Sequence, residues 1–494
     1  MDSEKQAQYA EDEIESKALH FLHKAEASHV SDAVSERSRL QRKIDMRLMP
    51  LLCLTYAIQS IDKTTLSYAA VFGIREDTHL QGTEYSWAGA LFYLGYLFWE
   101  YPTNVLLQKL PVGKFMSGTV ILWGITLMLH TPVQSFAGLA AVRTLLGVFE
   151  ASVNPATMII FSMYYKRQEQ PVRMGIWIGS AGVGYVVAGI TSFGIGHIDS
   201  SSLESWRLQF LVWGAVTTAW GVLLWLLLPG SPVSAGFLSE EEKVLVMDRI
   251  KDNGTGVENR RFKVVQFREA MLDLKTWLLF IFAVSSNCPN GGLTTFQGLI
   301  IKGFGFTTLQ TTLIQMPSGG IQAIVCVTAC YIVSKYKNAR LAMMLICLTP
   351  FLAGITGLVA IADSKRYARL VCLWISFSYT ATWTLSMSVA TANTSGHTKR
   401  VTTNAMLLIG YCVGNFVGPF FFKTSEAPSY GLGVGMMFVC IAVQVLCIVG
   451  IWVLLWWRNR MKERPVSGEE WRRARENGFA DLTDLQNGYF RYVY

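Results

Sequence analysis

Long apolar runs follow one another along most of the chain. Each is close to the ~20 residues that a helix needs to cross a hydrocarbon layer of about 30 Å. Twelve are expected, over residues 47–73, 84–107, 114–132, 135–165, 170–198, 206–229, 276–301, 310–334, 338–362, 367–391, 401–423 and 429–457. The breaks between them are short and polar, with one exception. Residues 230–275 are rich in charge, and Pro229-Gly230-Ser231-Pro232 at their start stops the preceding helix. The pattern predicts an all-α membrane protein. A polar tail at 1–45 leads to six helices over 46–229, a linker over 230–275, six more helices over 276–457 and a second tail at 458–494.

Composition supports a chain that crosses the membrane many times. Hydrophobic residues make up 51% and charged residues only 16%, against about 25% charged in soluble domains, and the mean hydropathy is +0.32. Residues 1–45 hold no apolar segment before a small-residue cleavage site, so no cleavable leader is expected and the first apolar run is a helix of the fold. Most of the nine cysteines lie inside the apolar runs, as small packing side chains rather than a disulfide or metal framework. Cys326 and Cys330 share a helix face, but no histidine or third cysteine joins them. No metal and no cofactor are expected.

The net charge of +8 is read by its distribution, not as affinity for nucleic acid. Alternate connections carry Lys109 and Lys114; Lys166, Arg167 and Arg173; Lys335, Lys337 and Arg340; and Lys399 and Arg400. The same side receives the linker, the approach through Arg37, Arg39, Arg42, Lys43 and Arg47, and the exit through Arg458, Arg460, Lys462 and Arg464. Residues 363–369, "DSKRYAR", are the exception on the other side. The positive-inside rule places both tails and the linker in the cytosol. The triplets Asn253-Gly254-Thr255 and Asn393-Thr394-Ser395 then fall on or near that side and are expected to stay unglycosylated. Basic clusters follow the second and fourth runs of one half and the matching runs of the other, as a duplicated six-helix unit would leave them.

Ionisable residues sit where hydrocarbon should be. In "VRTLLGVFEASVNP", Arg143, Gly147, Glu150 and Asn154 recur on one helix face at about 100° per residue. Each buried charge costs at least about 2.5–3.5 kcal/mol unless it faces protein or water. The stripe therefore points inward, either as a structural ion pair or as part of a transport path. The first run supplies Asp62 and Lys63, about 15 residues or roughly 22 Å from its start. Arg143 lies about 10 Å from the outer end of the fourth run, at a matching depth. An Asp62–Arg143 interaction is expected, leaving Lys63 for a substrate or a second acid. Glu100 stands two residues before Pro102, either capping a proline break or carrying a proton. The seventh run, "SSNCPNGGLTTFQGLI", spaces Asn287, Asn290, Thr294 and Gln297 at helical intervals, and Pro289 with Gly291-Gly292 is expected to interrupt the helix beside them. The tenth run adds Trp374, Tyr379 and Trp383, and the eleventh Asn404 and Asn415.

"PVGKFMSG" lacks the glycine spacing of a phosphate-binding loop, and no nucleophile stands with a base. Neither coupling to ATP nor an enzyme activity is expected; secondary transport is what remains.

The segments "SIDKTTLS" (60–67), "FWEYPTNVLLQKLPVGKF" (98–115), "RTLLGVFEASVNPA" (143–156), "NCPNGGLTTFQGLIIKGFGFTTLQTTLIQMPSGG" (287–320), "NTSGHTKR" (393–400), "GYCVGNFVGPFFF" (410–422) and "DLTDLQNGYFRYVY" (481–494) together resemble the major facilitator superfamily. Within it they are similar to the fungal allantoate permease branch of the anion:cation symporter family, over nearly the whole chain. The resemblance implies twelve transmembrane helices in two pseudo-symmetric six-helix halves, with spans one, four, seven and ten around a central cavity. It implies import of ureido acids, of vitamins such as nicotinate or pantothenate, or of some peptides, by proton symport; some similar proteins belong to natural-product gene clusters. "QKLPVGK" lacks the aspartate of the superfamily's pattern between spans two and three, so that loop's ion pair is not carried over. Lys63 stands where the branch often has arginine, which keeps the charge without the bidentate fork.

The expectation is a multi-pass, monomeric transporter in the plasma membrane, contacting lipid and binding protons and a small carboxylated solute. Arg143 and Lys63 attract the anion, Asn287, Asn290, Thr294, Gln297 and Trp383 complete the substrate site, and Asp62, Glu100 and Glu150 are the candidate proton carriers. A proton-driven exporter and a non-transporting nutrient receptor are the alternatives.

Overall fold

The structure is a computed structural model that describes residues 34–166, 169–198, 203–251, 263–462, 482–488 and 490–494. The polar stretch before residue 34, Arg167, the Asn253-Gly254-Thr255 triplet and Arg464 lie outside the described residues.

Helices account for all regular structure among the described residues. In the first half, span one is Val34–Val71, two Glu84–Lys109, three Val112–Met128, four Phe136–Glu150 continued by Val153–Tyr164, five Gln170–Ile195 and six Ser205–Leu227. In the second half, span seven is Leu274–Gly303, eight Thr308–Ile314 with Met316–Lys335, nine Arg340–Ala360, ten Arg366–Ser376 with Thr380–Ala392, eleven His397–Val417 and twelve Gly431–Met461. The chain thus crosses in two six-helix halves. Residues 230–251 and 263–272 join them and contain the helices Glu240–Lys251 and Val264–Leu272. The side on which they lie is the linker end, and the opposite side is the far end.

By length and apolarity alone, seven helices among the described residues could cross a membrane, and an eighth if Val264–Leu272 and span seven, bent by 63°, count together. Spans one, two, three and ten fall short for physical reasons. Spans one and two carry charge at mid-length, at Asp62, Lys63 and Glu100, span three has only 17 residues, and a short 3-10 turn at Phe377–Tyr379 divides span ten. Inward-facing polarity weakens an apolar signature without shortening the crossing.

Two breaks differ from expectation. Span seven runs unbroken from Leu274 to Gly303 despite Pro289. Proline has no N–H for the carbonyl four residues earlier, and Gln444 Nε2 of span twelve donates to that carbonyl, Ser285 O, at 3.2 Å. The two glycines serve contact rather than interruption. A Cβ on Gly291 would collide with the Asn415 carbonyl of span eleven, and one on Gly292 with the ring of Phe422. Span four, expected to run on, breaks at Ala151-Ser152. There Pro155 offers no donor to the Ala151 carbonyl, and Ser152 Oγ instead meets Thr119 Oγ1 of span three at 2.5 Å.

The halves meet along three seams. Spans one and seven are tied toward the far end, where Gly298 N donates to Ser67 Oγ (3.0 Å) and Lys302 Nζ to Val71 O (3.2 Å), and Tyr85 OH of span two donates to Thr295 O of span seven beside them (2.6 Å). Spans two and eleven meet through rings, Trp87 against Phe416 and Phe420, and Tyr93 and Tyr96 against Tyr411. Spans five and eight meet along their whole length through small residues. Gly175 faces Cys330, Gly179 faces Val327, Gly182 faces Gly319 and Ala323, and Gly189 faces Met316. Small residues let helices approach closely in lipid, where dispersion must replace the hydrophobic effect. No hydrogen bond or ring contact joins span four to span ten among the described residues.

At the linker end Arg173 grips Asp45 through two bonds of 2.7 Å, and Glu240–Lys251 is held by Lys43–Glu242 (2.5 Å) and Arg249–Glu169 (2.7 Å). Asn393 is fully buried, with its side chain bonded to Val389 and Val493.

The five–eight seam yields a test. Gly182→Val places a branched side chain against the Gly319 carbonyl, and such overpacking costs about 1–3 kcal/mol. The expected result is a lower melting midpoint of the detergent-purified protein, whereas Gly194→Val, at an exposed position with no atom near its Cβ, leaves it unchanged.

Candidate functional site

Span four delivers Arg143, Gly147 and Glu150 to one buried face, as their spacing requires. Gly147 lets span two come so close that a Cβ would overlap the Phe92 carbonyl. This closeness carries the neighbouring charges into reach of spans one and two. Arg143 Nε donates to Ala88 O at 3.1 Å, and its guanidinium lies 5.9 Å from the Phe92 ring centre. Asn154, beyond the break, donates to Tyr96 OH at 3.0 Å.

The ion pair at this site is Lys63–Glu150. Lys63 Nζ stands 3.2 Å from Glu150 Oε1, with the lysine side chain 18% exposed and the glutamate fully buried. The expected Asp62–Arg143 bond is not formed. Adjacent residues on a helix diverge by about 100°, so Lys63 turns to span four while Asp62 turns toward Trp123 of span three and Thr217 of span six. Neither Asp62 oxygen has a hydrogen-bond partner, and the residue is fully buried. Asp62 and Arg143 share a cavity rather than a bond. Lys63, Gly89, Phe92, Tyr93, Glu150, Thr294 and Thr295 line it with them. It is small, leaving about 10 Å³ for the centre of a water-sized molecule, which is room for about one water. The halves have closed around the charges.

The second half contributes amides and rings. Asn290 Nδ2 donates to Asn415 Oδ1 (2.7 Å), Tyr379 OH donates to Asn290 Oδ1 (3.0 Å), and Asn415 Nδ2 reaches Asn287 Oδ1 (3.4 Å). Thr294 Oγ1 bonds back to Asn290 O at 2.6 Å. Trp383 stacks on Tyr411, with ring centres 5.4 Å apart and planes at 29°. Together these form a ladder of satisfied amides beside a wall of rings.

Of the expected residues of the second half only Thr294 lines the cavity; Asn287, Asn290 and Trp383 stand in the ladder and the wall, and two further expected residues belong to none of these. Gln297 is turned to span eight, where its Nε2 donates to Ser318 Oγ at 2.8 Å. Glu100 faces Tyr96 and Cys412 at the two–eleven seam, and both of its carboxylate oxygens are buried without a partner. With no partner for either oxygen, its side chain does not cap the proline bend; Asn104 Nδ2 donates to the Glu100 backbone carbonyl at 2.9 Å. Sequence reasoning missed Phe92, Tyr93, Tyr96, Tyr411 and Thr295. A signal was present, since Tyr93, Tyr96 and Glu100 recur at helical spacing on one face of span two.

A family profile described as the Major Facilitator Superfamily matches residues 52–419. A thiamine pathway transporter of Saccharomyces cerevisiae is 35% identical over 92% of this chain and 86% of its own. The allantoate permease of the same yeast is 32% identical over 95% of this chain and 88% of its own. Among solved structures, a bacterial homologue of the human lysosomal transporter Spinster, inward-facing and unoccupied, aligns with a TM-score of 0.60 at 19% identity, covering 82% of this chain and 95% of that one; it supports the fold alone.

The Lys63–Glu150 pair is tested by a double-mutant cycle. Removing one partner of a buried pair costs about 3–5 kcal/mol, while removing both is close to neutral. Lys63→Met and Glu150→Gln should each lower the melting midpoint, and the double variant should recover most of the loss. Strictly additive losses would mean that the two charges are not coupled.

Proposed function

Because the chain belongs to the Major Facilitator Superfamily, and within it to the branch that includes allantoate permease, we propose that it imports a small carboxylated organic solute together with protons. The observation that carries this reading is the cavity holding Lys63, Arg143, Glu150 and Asp62 between the two halves. A guanidinium and an ammonium are the groups that draw a carboxylate into such a place. Lys63 is committed to Glu150 in the closed state, so an incoming anion competes for it, and Arg143, which among the described residues donates to one backbone carbonyl through Nε, keeps its terminal nitrogens for an anion.

Protons enter through the carboxyl groups. Asp62 and Glu100 are buried with no hydrogen-bond partner for either oxygen. An uncompensated charge in such a setting is expensive, and a proton is the smallest ion that removes it. Glu150 joins them when Lys63 turns to the substrate. The amide ladder and the Trp383–Tyr411 wall supply the opposite side of the site, suited to a flat molecule with donors and acceptors. The two halves rock about their seams to expose the site alternately. The linker end, which receives the basic residues, is placed in the cytosol, and the plasma membrane is the proposed location.

Labelled allantoate, nicotinate and pantothenate should be offered to permease-deficient cells in acid and in neutral medium. Uptake is expected to rise in acid. Arg143→Leu should lower it about 10-fold or more at unchanged membrane abundance, since hydrogen bonds to a charged group contribute about 1.5–3 kcal/mol. Efflux without uptake would establish an exporter, and signalling without flux a receptor. Undiminished flux in Arg143→Leu would remove the anion-binding role.

A further inference from the structure

Residues 482–488 and 490–494 lie after span twelve, and they fold back onto the linker end of the second half. Asp484 is fully buried there. Its carboxylate takes Lys275 Nζ from the first turn of span seven (3.1 Å), Lys399 Nζ from the first turn of span eleven (2.9 Å) and Tyr492 OH (2.9 Å). Lys399 also meets Asp273 (3.0 Å) and Glu269 (2.9 Å), Lys275 donates to the Asn393 carbonyl, and Arg458 of span twelve holds Asp273 at 2.7 Å. Remove Asp484, and three buried or half-buried cations (Lys275, Lys399 and Arg458) face only two acids, Asp273 and Glu269. Lys275 would keep the Asn393 carbonyl but, as its acid, only Asp273 among the described residues, 3.8 Å away.

The backbone of the segment is read as closely as its charge. Asn393 clasps Val493 through both side-chain atoms (2.7 and 2.7 Å), and Asn459 clasps Tyr492 in the same way (2.9 and 2.8 Å). Lys462 Nζ donates to the Asp484 and Asn487 carbonyls (2.6 and 2.9 Å), and Arg340 N donates to Tyr494 O (3.3 Å). Thr483 Oγ1 donates to Glu269 at 2.9 Å. These partners come from spans seven, nine, eleven and twelve, from Lys462 at the end of span twelve, from the ten–eleven connection and from the helix Val264–Leu272.

From this we infer that Leu482–Tyr494 is a peptide ligand of its own second half, a clamp that makes the linker ends of those helices one rigid body. The clamp serves the rocking set out above, because a half moves as a unit only if its ends stay together. Burial tends to raise the Asp484 carboxyl, but Lys275 and Lys399 outweigh it and hold the group below the usual carboxylate range. A depressed carboxyl stabilises docking at all pH values above its unbound range and loses that contribution only as pH falls through the bound value. Attachment therefore persists through mildly acid conditions.

A protease site between residues 463 and 481 of the full chain allows the segment to be cut free after purification. The cut segment is expected to stay with the body through size exclusion. Asp484→Asn, which leaves two buried ammonium groups facing a neutral amide, should speed its release about 30-fold or more. Release should lower the melting midpoint, and added peptide 482–494 should restore it while the Asp484→Asn peptide does not. Equal release from both proteins, or a midpoint unmoved by release, would overturn the clamp. These readouts need no transported solute, so their failure leaves the transport reading standing, and failure of uptake leaves the clamp standing.

Discussion

A charge within the bilayer must find its partner inside the protein, and here that partner is another charge one helix away. Lys63 and Glu150 meet at 3.2 Å, which fixes how spans one and four face each other. Gly147, between Arg143 and Glu150, brings span two against the same face. Three helices are thereby oriented about one polar point, and the second half answers with amides and rings. The spans least apolar in composition are the ones that build the site, which is why a count by hydropathy alone stops at seven or eight crossings.

The seams are built from different materials. Hydrogen bonds tie spans one and seven toward the far end, rings hold two to eleven, and nearly bare backbones hold five to eight. Four and ten share no such bond. Contacts between the halves close over the far end and the charges, while at the linker end, apart from Gly175 against Cys330 on the five–eight seam, the bonds run within each half: Asp45–Arg173 and the linker helix serve the first half, and the Asp484 network serves the second.

Much of this could be read in the chain. The helical runs, the inward stripe on span four and the mid-membrane placement of Asp62 and Lys63 follow from periodicity, because facing and depth are one-dimensional properties of a helix. Partner choice is not. Asp62 and Lys63 are adjacent in sequence but point to different helices, and only the packing of spans three, four and six decides which of them Glu150 receives. The break at Pro289 was misplaced for a similar reason. A missing N–H is visible in sequence, but the compensating Gln444 lies 155 residues away in another span. The docking of Asp484 onto Lys275 and Lys399 is a third case, invisible until the helix ends are side by side.

The five–eight contact has a mechanical meaning. Where carbonyl oxygen meets glycine Cα, sliding brings atoms into overlap, so that edge acts like the spine of a book. The rings along two and eleven meet edge to face or tilted, side chain against side chain with no backbone on backbone, so a small shift there costs less than one along the glycines. The fore-edge of this book is therefore the side of Trp87, Tyr96 and Tyr411, and pages turned about a glycine spine part there first.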